Sequence, residues 1–190
     1  MIKIGILGDI GSGKSFIAKK FGYPVFNADE EVSKIYLKDK IIFRKLKKKL
    51  PKYFTKFPVS KKEVLNAILA NNSNLKKIVQ VVHKKIKSKM NIFLNKNKKE
   101  KIVILDIPLL LENKINKKGD ILIFIQSEKS EVLKRLKKRK NFNKNLYSKF
   151  KDIQLPLDYK KKKSNFIIKN DFRNKNIKKY VNDILEEIII

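Results

Sequence analysis

The chain has 190 residues, of which 42% are hydrophobic, and this length and composition predict one compact α/β domain with a helical insert. It contains no cysteine, which excludes a disulfide framework and a thiolate metal site, and no apolar run approaches the length of a membrane span. The formal net charge of +30 comes almost entirely from lysines spread along the whole sequence. We interpret these lysines mainly as solvated helix surface, because no aromatic interleaving or nucleic-acid-binding module accompanies them.

The first predicted strand, Ile2 to Leu7, leads directly into the octapeptide Gly8-Asp9-Ile10-Gly11-Ser12-Gly13-Lys14-Ser15. This octapeptide matches the phosphate loop G-x-x-x-x-G-K-[ST], and a helix is predicted to follow it from about Lys14 to Phe21. Three of the six glycines lie in the loop, where the backbone must pass close to a bound anion. The sequence therefore predicts a binding site for a nucleoside triphosphate.

Each part of the loop has a predicted role in holding the phosphates. The backbone N–H groups from Gly11 to Ser15 and the positive end of the following helix attract the phosphate oxygens. The ammonium group of Lys14 is expected to reach the β- and γ-phosphates, and the hydroxyl of Ser15 is expected to hold Mg²⁺.

A second short strand is predicted at residues 24–26, and Asn27-Ala28-Asp29 follows it. Residues 30–99 then carry apolar side chains at intervals of three and four, which is typical of helices. The predicted helices cover Glu30–Leu50, Lys61–Asn71 and Leu75–Asn95. We interpret this segment as a helical insert that covers the second substrate.

The rest of the chain alternates between strands and helices. Strands are predicted at Ile102–Leu105, Asp120–Ile125 and Phe166–Lys169, and helices at Ser127–Arg139, from about residue 146 to Gln154, and at Ile177–Ile189. Continuous apolar runs of this kind are typical of a parallel sheet buried on both faces, so a five-stranded parallel sheet with helices on both sides is predicted. Ligands of such sheets bind beyond the carboxyl ends of the strands, where the phosphate loop, Asp29, Asp106 and Asn170 are expected to converge.

Phosphoryl transfer requires charge neutralisation, in-line positioning and an acceptor for the hydroxyl proton. Arg135 and Arg139 lie four positions apart on one predicted helix and suit the clamping of phosphate oxygens, with surface salt bridges as the alternative. We assign Asp29 as the base or orienting group for the acceptor hydroxyl, although it could also cap a helix. Asp106 is assigned mainly to the metal shell or the acceptor side, and which carboxylate takes the proton stays open.

The order of these motifs resembles that of the dephospho-CoA kinase family nearly from end to end. The resemblance rests on the phosphate loop, Asn27-Ala28-Asp29, His83 with Ile86, Asp106-Ile107-Pro108-Leu109-Leu110-Leu111-Glu112, Arg135 with Arg139, and Gln154-Leu155-Pro156-Leu157 with Lys160 and Asn170. It implies a three-layer P-loop NTPase fold of the adenylate-kinase type. The implied parts are a nucleotide-binding core (1–29, 100–139 and 154–190), a helical CoA-binding insert (30–99) and a lid (140–153).

The resemblance also implies ATP-dependent phosphorylation of the ribose 3′-hydroxyl of dephospho-CoA, with Mg²⁺ as cofactor, by a cytoplasmic monomer or weak homo-oligomer that needs no membrane. The implied catalytic residues are Lys14, Asp29, Arg135 and Arg139. The implied nucleotide-binding residues are Gly8, Gly11, Ser12, Gly13, Lys14, Ser15, Phe16 and Asn170. The implied substrate-binding residues are Asp29, His83, Asp106, Leu109, Leu110 and Glu112, and the implied metal ligands are Ser15 and Asp106.

Several residues depart from the family pattern. Asp9 replaces a loop glycine, Phe16 replaces a threonine, Asn27 replaces an aspartate, Lys84 replaces a proline, and Ser164-Asn165 replace Ala-Asp. None of these changes removes Lys14, Ser15 or Asp29, so an active enzyme is expected. The alternatives are another nucleotide or small-metabolite kinase and, more distantly, a basic nucleic-acid-binding protein with a relict phosphate loop.

Overall fold

The structure is a computed structural model that describes residues 1–140, 142–173 and 176–189. In chain order its elements are β1 (Ile2–Gly8), α1 (Lys14–Lys20), β2 (Val25–Asn27), α2 (Ala28–Lys38), α3 (Lys40–Lys49), α4 (Lys61–Ala70), α5 (Asn72–Lys96), β3 (Ile102–Asp106), β4 (Ile121–Gln126), α6 (Lys129–Lys137), α7 (Lys144–Asp152), α8 (Leu157–Lys162), β5 (Phe166–Lys169) and α9 (Ile177–Ile189). Among these helices, none combines the length and the apolar character that crossing a membrane requires.

The five strands form one parallel sheet in the order β2-β3-β1-β4-β5. The predicted α/β fold with a five-stranded parallel sheet is therefore confirmed. The register brings the strand ends level, since Asn27 lies opposite Asp106 and Gly8 lies opposite Ile125. The polar residues that follow the strands consequently lie along one edge of the sheet.

The chain divides into two compact units, which we call the sheet unit and the helical unit. The sheet unit comprises Met1–Asn27, Leu94–Phe142 and Ile153–Ile190, and the helical unit comprises Ala28–Phe93 and Asn143–Asp152. The core of the sheet unit is formed by buried strand residues with α1 and α9, among them Ile4, Ile6, Ile17, Ile104, Ile123, Val181 and Ile184. The helical unit buries the apolar faces of its helices, among them Ile35, Ile42, Leu46, Leu75, Ile78, Val82 and Ile86.

The helix predicted over Glu30–Leu50 is in fact two helices, because Asp39 interrupts it. The Oδ1 of Asp39 accepts hydrogen bonds from the N–H groups of Ile41 and Ile42 at 3.1 and 3.0 Å, so this side chain caps the start of α3. Its other oxygen pairs with the ammonium of Lys85 at 2.9 Å. Burial by itself raises the pKa of Asp39, but the Ile42 N–H, the Lys85 ammonium and the Ile41 N–H together hold it below its usual value.

Two predicted helix ends were also wrong. Helix α6 ends at Lys137, so Arg139 lies in the following turn and does not share a helical face with Arg135. Helix α7 ends at Asp152 and not at Gln154. The structure adds a short helix, α8, that the sequence did not predict and that begins after Pro156.

Candidate active site

The phosphate loop has a backbone shape that requires glycine at two of its positions. Gly8 ends β1 with a φ of +145°, and a Cβ there would lie 2.8 Å from the carbonyl oxygen of Ile125 on the neighbouring strand. Gly13 precedes α1 in the left-handed conformation, and a Cβ there would lie 2.5 Å from the Asn170 Nδ2. Both positions are strained for any other residue, so the glycines of the motif fix the path of the loop.

The ammonium group of Lys14 curls back over the loop. Its Nζ donates hydrogen bonds to the carbonyl oxygen of Asp9 at 2.6 Å and to that of Gly8 at 3.3 Å. These acceptors are oxygen atoms, as phosphate acceptors are, and a bound triphosphate would compete for the same cation. The side chain therefore lies where the motif requires it.

Asp9, which replaces a loop glycine, is bonded within the loop itself. Its Oδ1 accepts the N–H of Ile10 at 2.6 Å, and its carbonyl oxygen accepts the N–H of Ser12 at 3.2 Å. The N–H of Ser12 is thus directed into the loop in this structure, although the sequence predicts that it faces the phosphates. Asp9 consequently stabilises the first turn of the loop.

Two side chains from distant strands hold the carbonyl oxygen of Ser12. The Ser127 Oγ, just after β4, donates to it at 3.1 Å, and the Asn170 Nδ2, just after β5, donates to it at 2.8 Å. Asn170 is buried, so this bond is shielded from water. Asn170 therefore contacts the loop backbone, and its predicted contact with the nucleotide stays a prediction.

Asp106 ends β3 as a buried carboxylate with a defined partner. Its Oδ2 accepts a hydrogen bond from the Asn27 Nδ2 at 2.8 Å, and the two residues are paired directly across β2 and β3. The amide donor orients the carboxylate. Asn27, which replaces an aspartate of the family pattern, thus avoids a close pair of like charges at this strand end.

The segment after Asp106 is anchored by Glu112. Its Oε1 lies 2.6 Å from the Lys160 ammonium, which is 1% exposed, and it also accepts the N–H of Leu155 at 3.0 Å. The Gln154 Oε1 accepts a further bond from Lys160 at 3.3 Å. These contacts place Glu112 in an internal ion pair, and its expected contact with substrate stays a prediction.

Leu110 is also a structural residue. It is 1% exposed, and its Cδ2 would lie 2.5 Å from a Cβ on Gly5, so it packs directly on β1. The expected contact of Leu110 with substrate stays a prediction. Leu109 is half-buried, and its carbonyl accepts the Asn113 side-chain amide at 3.0 Å.

The two arginines assigned to catalysis lie at and after the end of α6. The guanidinium of Arg135 lies 4.4 Å from the centroid of the Phe172 ring, and the N–H of Arg139 donates to the Leu136 carbonyl at 3.0 Å. Phe16, near the start of α1, is 43% exposed and lies under the ammonium of Lys20. Its side chain therefore lies at the surface beside Lys20.

Two predicted site residues belong to the helical unit. Asp29 is the second residue of α2, with Glu30 and Glu31 in the same first turn, and its carbonyl accepts the Ser33 hydroxyl at 2.9 Å. Three carboxylates in this turn stabilise the positive end of the helix. His83 is half-buried on α5 and follows the buried residue Val82.

Sequence reasoning missed two residues that contact this region, Ser127 and Phe172. Ser127 could have been found from its place, because it follows a buried strand just as Asp106 and Asn170 do. Phe172 gave no such signal, since a single aromatic residue in a polar segment fits no motif.

The parallel sheet and the G-x-x-x-x-G-K-S loop, whose lysine lies over the loop, define the chain as a P-loop NTPase. Two solved structures share the fold. One is the crystal structure of TT1252 from Thermus thermophilus, with a TM-score of 0.76 and 22% identity over 98% of this chain and 97% of that chain. The other is a dephospho-CoA kinase from Campylobacter jejuni, with a TM-score of 0.63 and 23% identity over 98% of this chain and 96% of that chain.

Residues 2–184 match the family model described as dephospho-CoA kinase, and the chain belongs to this family. A dephospho-CoA kinase from Wolbachia sp. subsp. Brugia malayi (strain TRS) is 33% identical over 190 residues, which cover 97% of this chain and 97% of the relative. The resemblance seen in the motifs is thereby confirmed.

Proposed function

We propose that this chain transfers the γ-phosphoryl group of ATP to the ribose 3′-hydroxyl of dephospho-CoA, which gives coenzyme A and ADP. The observation that carries this proposal is the family match over residues 2–184, which contains the phosphate loop, Asp29 and Arg135 in order. A kinase acting on this substrate catalyses the last step of coenzyme A synthesis. We place it in the cytoplasm, as a monomer or weak homo-oligomer.

The phosphate loop and its lysine are the proposed site for ATP. The Lys14 ammonium would exchange the carbonyl oxygens of Asp9 and Gly8 for oxygens of the β- and γ-phosphates. Arg135 and Arg139 are proposed to stabilise the charge that spreads over the transferring group. A direct contact of Phe16 is proposed through its backbone N–H group.

Ser15 and Asp106 are the proposed ligands of Mg²⁺. A hydroxyl and a carboxylate are hard oxygen donors, which suit this ion. Among the described residues, no group of three or more acidic, histidine or cysteine side chains is arranged so that it could hold a metal ion by itself. Mg²⁺ sites of nucleotide kinases are typically completed by substrate phosphates, so two protein ligands are sufficient. The bound ion would neutralise charge on the phosphate oxygens.

Asp29 is proposed to accept the proton of the 3′-hydroxyl. The hydroxyl oxygen forms a bond to the γ-phosphorus, the bond from that phosphorus to the β–γ bridging oxygen breaks, and the bridging oxygen leaves with ADP. The carboxylate of Asp29 takes the proton as the new bond forms. Its place in the first turn of α2, directly after β2, supports this assignment.

The second substrate is proposed to bind through the helical insert over residues 30–99. Its proposed contacts are Asp29, His83, Asp106, Leu109, Leu110 and Glu112. Residues 140–153 are the proposed lid over the reaction. The lysine-rich helices of this region favour a polyanionic substrate such as a CoA precursor with its diphosphate.

The test is a coupled assay of ADP release with ATP and, separately, dephospho-CoA, a panel of nucleoside monophosphates, or no acceptor. We expect turnover with dephospho-CoA well above both of the other conditions. Turnover with a nucleoside monophosphate in preference to dephospho-CoA would instead support the alternative of a nucleotide kinase.

A further inference from the structure

Arg135 has an aromatic partner that no motif assigns. The carbon of its guanidinium lies 4.4 Å from the centroid of the Phe172 ring, well within the range of about 6 Å in which a cation is attracted to an aromatic face. The other cation–ring contacts among the described residues involve lysines at 5.0 to 6.0 Å. Among these cation–ring contacts of the described residues, the contact of Arg135 is therefore the shortest. It is also the one in which the cation is a planar guanidinium.

The backbone of Phe172 is in a conformation that phenylalanine rarely adopts. Its φ is +63°, in the left-handed region, where glycine or asparagine normally stands. A residue with a Cβ is strained there, and such strain persists only where surrounding contacts hold it. An aromatic ring at this position must therefore be held by specific neighbours.

Those neighbours connect Phe172 to the phosphate loop. The N–H of Phe172 donates to the Asn170 Oδ1 at 3.0 Å, and the Asn170 Nδ2 donates to the Ser12 carbonyl at 2.8 Å. The Phe172 Cε1 lies 3.7 Å from the point that a Cβ on Gly13 would occupy. One buried asparagine thus fixes both the loop and the turn that carries the ring.

The helix that carries Arg135 borders the same loop. The side chain of Leu136, the next residue on α6, would lie 2.9 Å from a Cβ on Gly11. The Leu136 side chain and the Phe172 ring, which are both neighbours of Arg135, therefore lie close to the loop. The guanidinium lies at the end of the long Arg135 side chain, so these contacts with the loop do not by themselves fix its position.

We infer that Phe172 is a positioning residue for Arg135. The ring of Phe172 holds the guanidinium of Arg135 beside the phosphate loop before ATP binds. The inference rests on the proposed function of Arg135 in phosphoryl transfer. A side chain that is already restricted loses less conformational freedom when it engages the phosphates. Phe172 acts through Arg135 and needs no contact with substrate.

The first test removes the ring and keeps an apolar side chain. We expect Phe172→Leu to lower kcat about two- to fivefold, which is the range that a cation–π contact at an exposed site supplies. We expect the KM for dephospho-CoA to stay unchanged. The matched control is Tyr159→Leu, which removes the contact with Lys163 at 5.8 Å and should leave kcat unchanged.

A double-mutant cycle separates the inference from the proposed function. Arg135→Ala should lower kcat about 100-fold, as loss of a charge-stabilising donor does, and adding Phe172→Leu should then have no further effect. A loss of activity in Arg135→Ala with full activity in Phe172→Leu would overturn the inference alone. Full activity in Arg135→Ala would overturn the proposed role of Arg135, and the inference with it.

Two further variants exclude a merely structural effect. Phe172→Gly removes the ring and suits the left-handed backbone, so we expect the loss of kcat seen in Phe172→Leu without a lower Tm. A loss of activity that appears only together with a lower Tm would count against positioning. The chain has no tryptophan, so Phe172→Trp introduces a single one whose fluorescence can be followed. Its emission should change when Arg135→Ala is added. Unchanged emission would contradict the contact between the two side chains.

Discussion

The sheet unit and the helical unit hold their functional candidates in different ways. In the sheet unit, polar groups are bonded across strands that lie far apart in the sequence, as in the pairs Asn27–Asp106 and Ser12–Asn170. In the helical unit, Asp29 and His83 lie on helices that pack through apolar faces. Hydrogen bonds are directional, whereas apolar packing is not. The comparison shows that the phosphate loop is held in place by hydrogen bonds, whereas the helices that carry Asp29 and His83 are held mainly by the burial of their apolar faces.

The largest effect is expected for a substitution that removes the phosphate-binding cation of the sheet unit and leaves the fold of that unit intact. Lys14→Ala should lower kcat/KM about 1,000-fold, because the transferring group loses its main cation. The Nζ of Lys14 donates to two carbonyl oxygens of the loop and does not form part of the buried core, so we expect the Tm to change little. Steady-state kinetics with thermal unfolding checks both parts. Near-normal turnover would refute the assignment of the loop as the ATP site.

The second-largest effect is expected at Asp29, which lies on a helix of the helical unit and is proposed to take part in the chemistry. Asp29→Asn should lower kcat about 100-fold or more, since a neutral amide cannot accept the hydroxyl proton. ATP affinity should remain close to that of the wild type. Nucleotide titration alongside turnover gives both values, and full activity of the purified variant would remove Asp29 as the base.

The buried ion pair of Glu112 tests stability in the sheet unit. Glu112→Ala leaves the Lys160 ammonium buried without its carboxylate and should lower the free energy of unfolding by about 3 kcal/mol. Urea unfolding measures the change. The matched control is Glu131→Ala, which breaks an exposed pair with Lys134 and should cost at most about 0.5 kcal/mol. Equal effects of the two variants would contradict an internal role for Glu112.

The smallest effect concerns the cap between α2 and α3. Asp39→Ala should lower the free energy of unfolding by about 1 kcal/mol, and Asp39→Asn by less, because asparagine keeps a capping oxygen. The pKa of Asp39 is lowered in the folded chain, so its contribution is present above the unfolded value of 3.8 and is lost as the pH falls below it. Urea unfolding between pH 3 and pH 7 checks this, and an unchanged pH dependence in Asp39→Asn would contradict it.

The sequence predicts the sheet unit well because its strands are continuous apolar runs. All five strands lie within one or two residues of their predicted bounds. Their order in the sheet follows from pairing between distant segments, which no local pattern records. The motif of the phosphate loop likewise predicts Lys14 and its neighbours but not the bond from Ser127, because a single serine after a strand has no periodicity.

The misses in the helices have local physical reasons. The apolar spacing continues through Asp39, so periodicity alone does not show that the helix breaks there. An aspartate shortly before an apolar pair, here Ile41 and Ile42, is nevertheless a signal for a helix start. Helix α8 is too short for its period to be counted. The motif that contains Leu110 and Glu112 does not record that Leu110 is buried or that Glu112 pairs with Lys160, because both features depend on residues far away in the sequence.

The bond between Asn170 and Ser12 joins residues 158 positions apart. A ribosome therefore makes the phosphate loop long before it makes the strand that steadies the loop. A nascent chain that stops short of β5 would carry the whole motif and yet lack the asparagine that holds its carbonyl in place. The loop therefore acquires this support only after β5 and Asn170 have been synthesised, although its own residues emerge earlier.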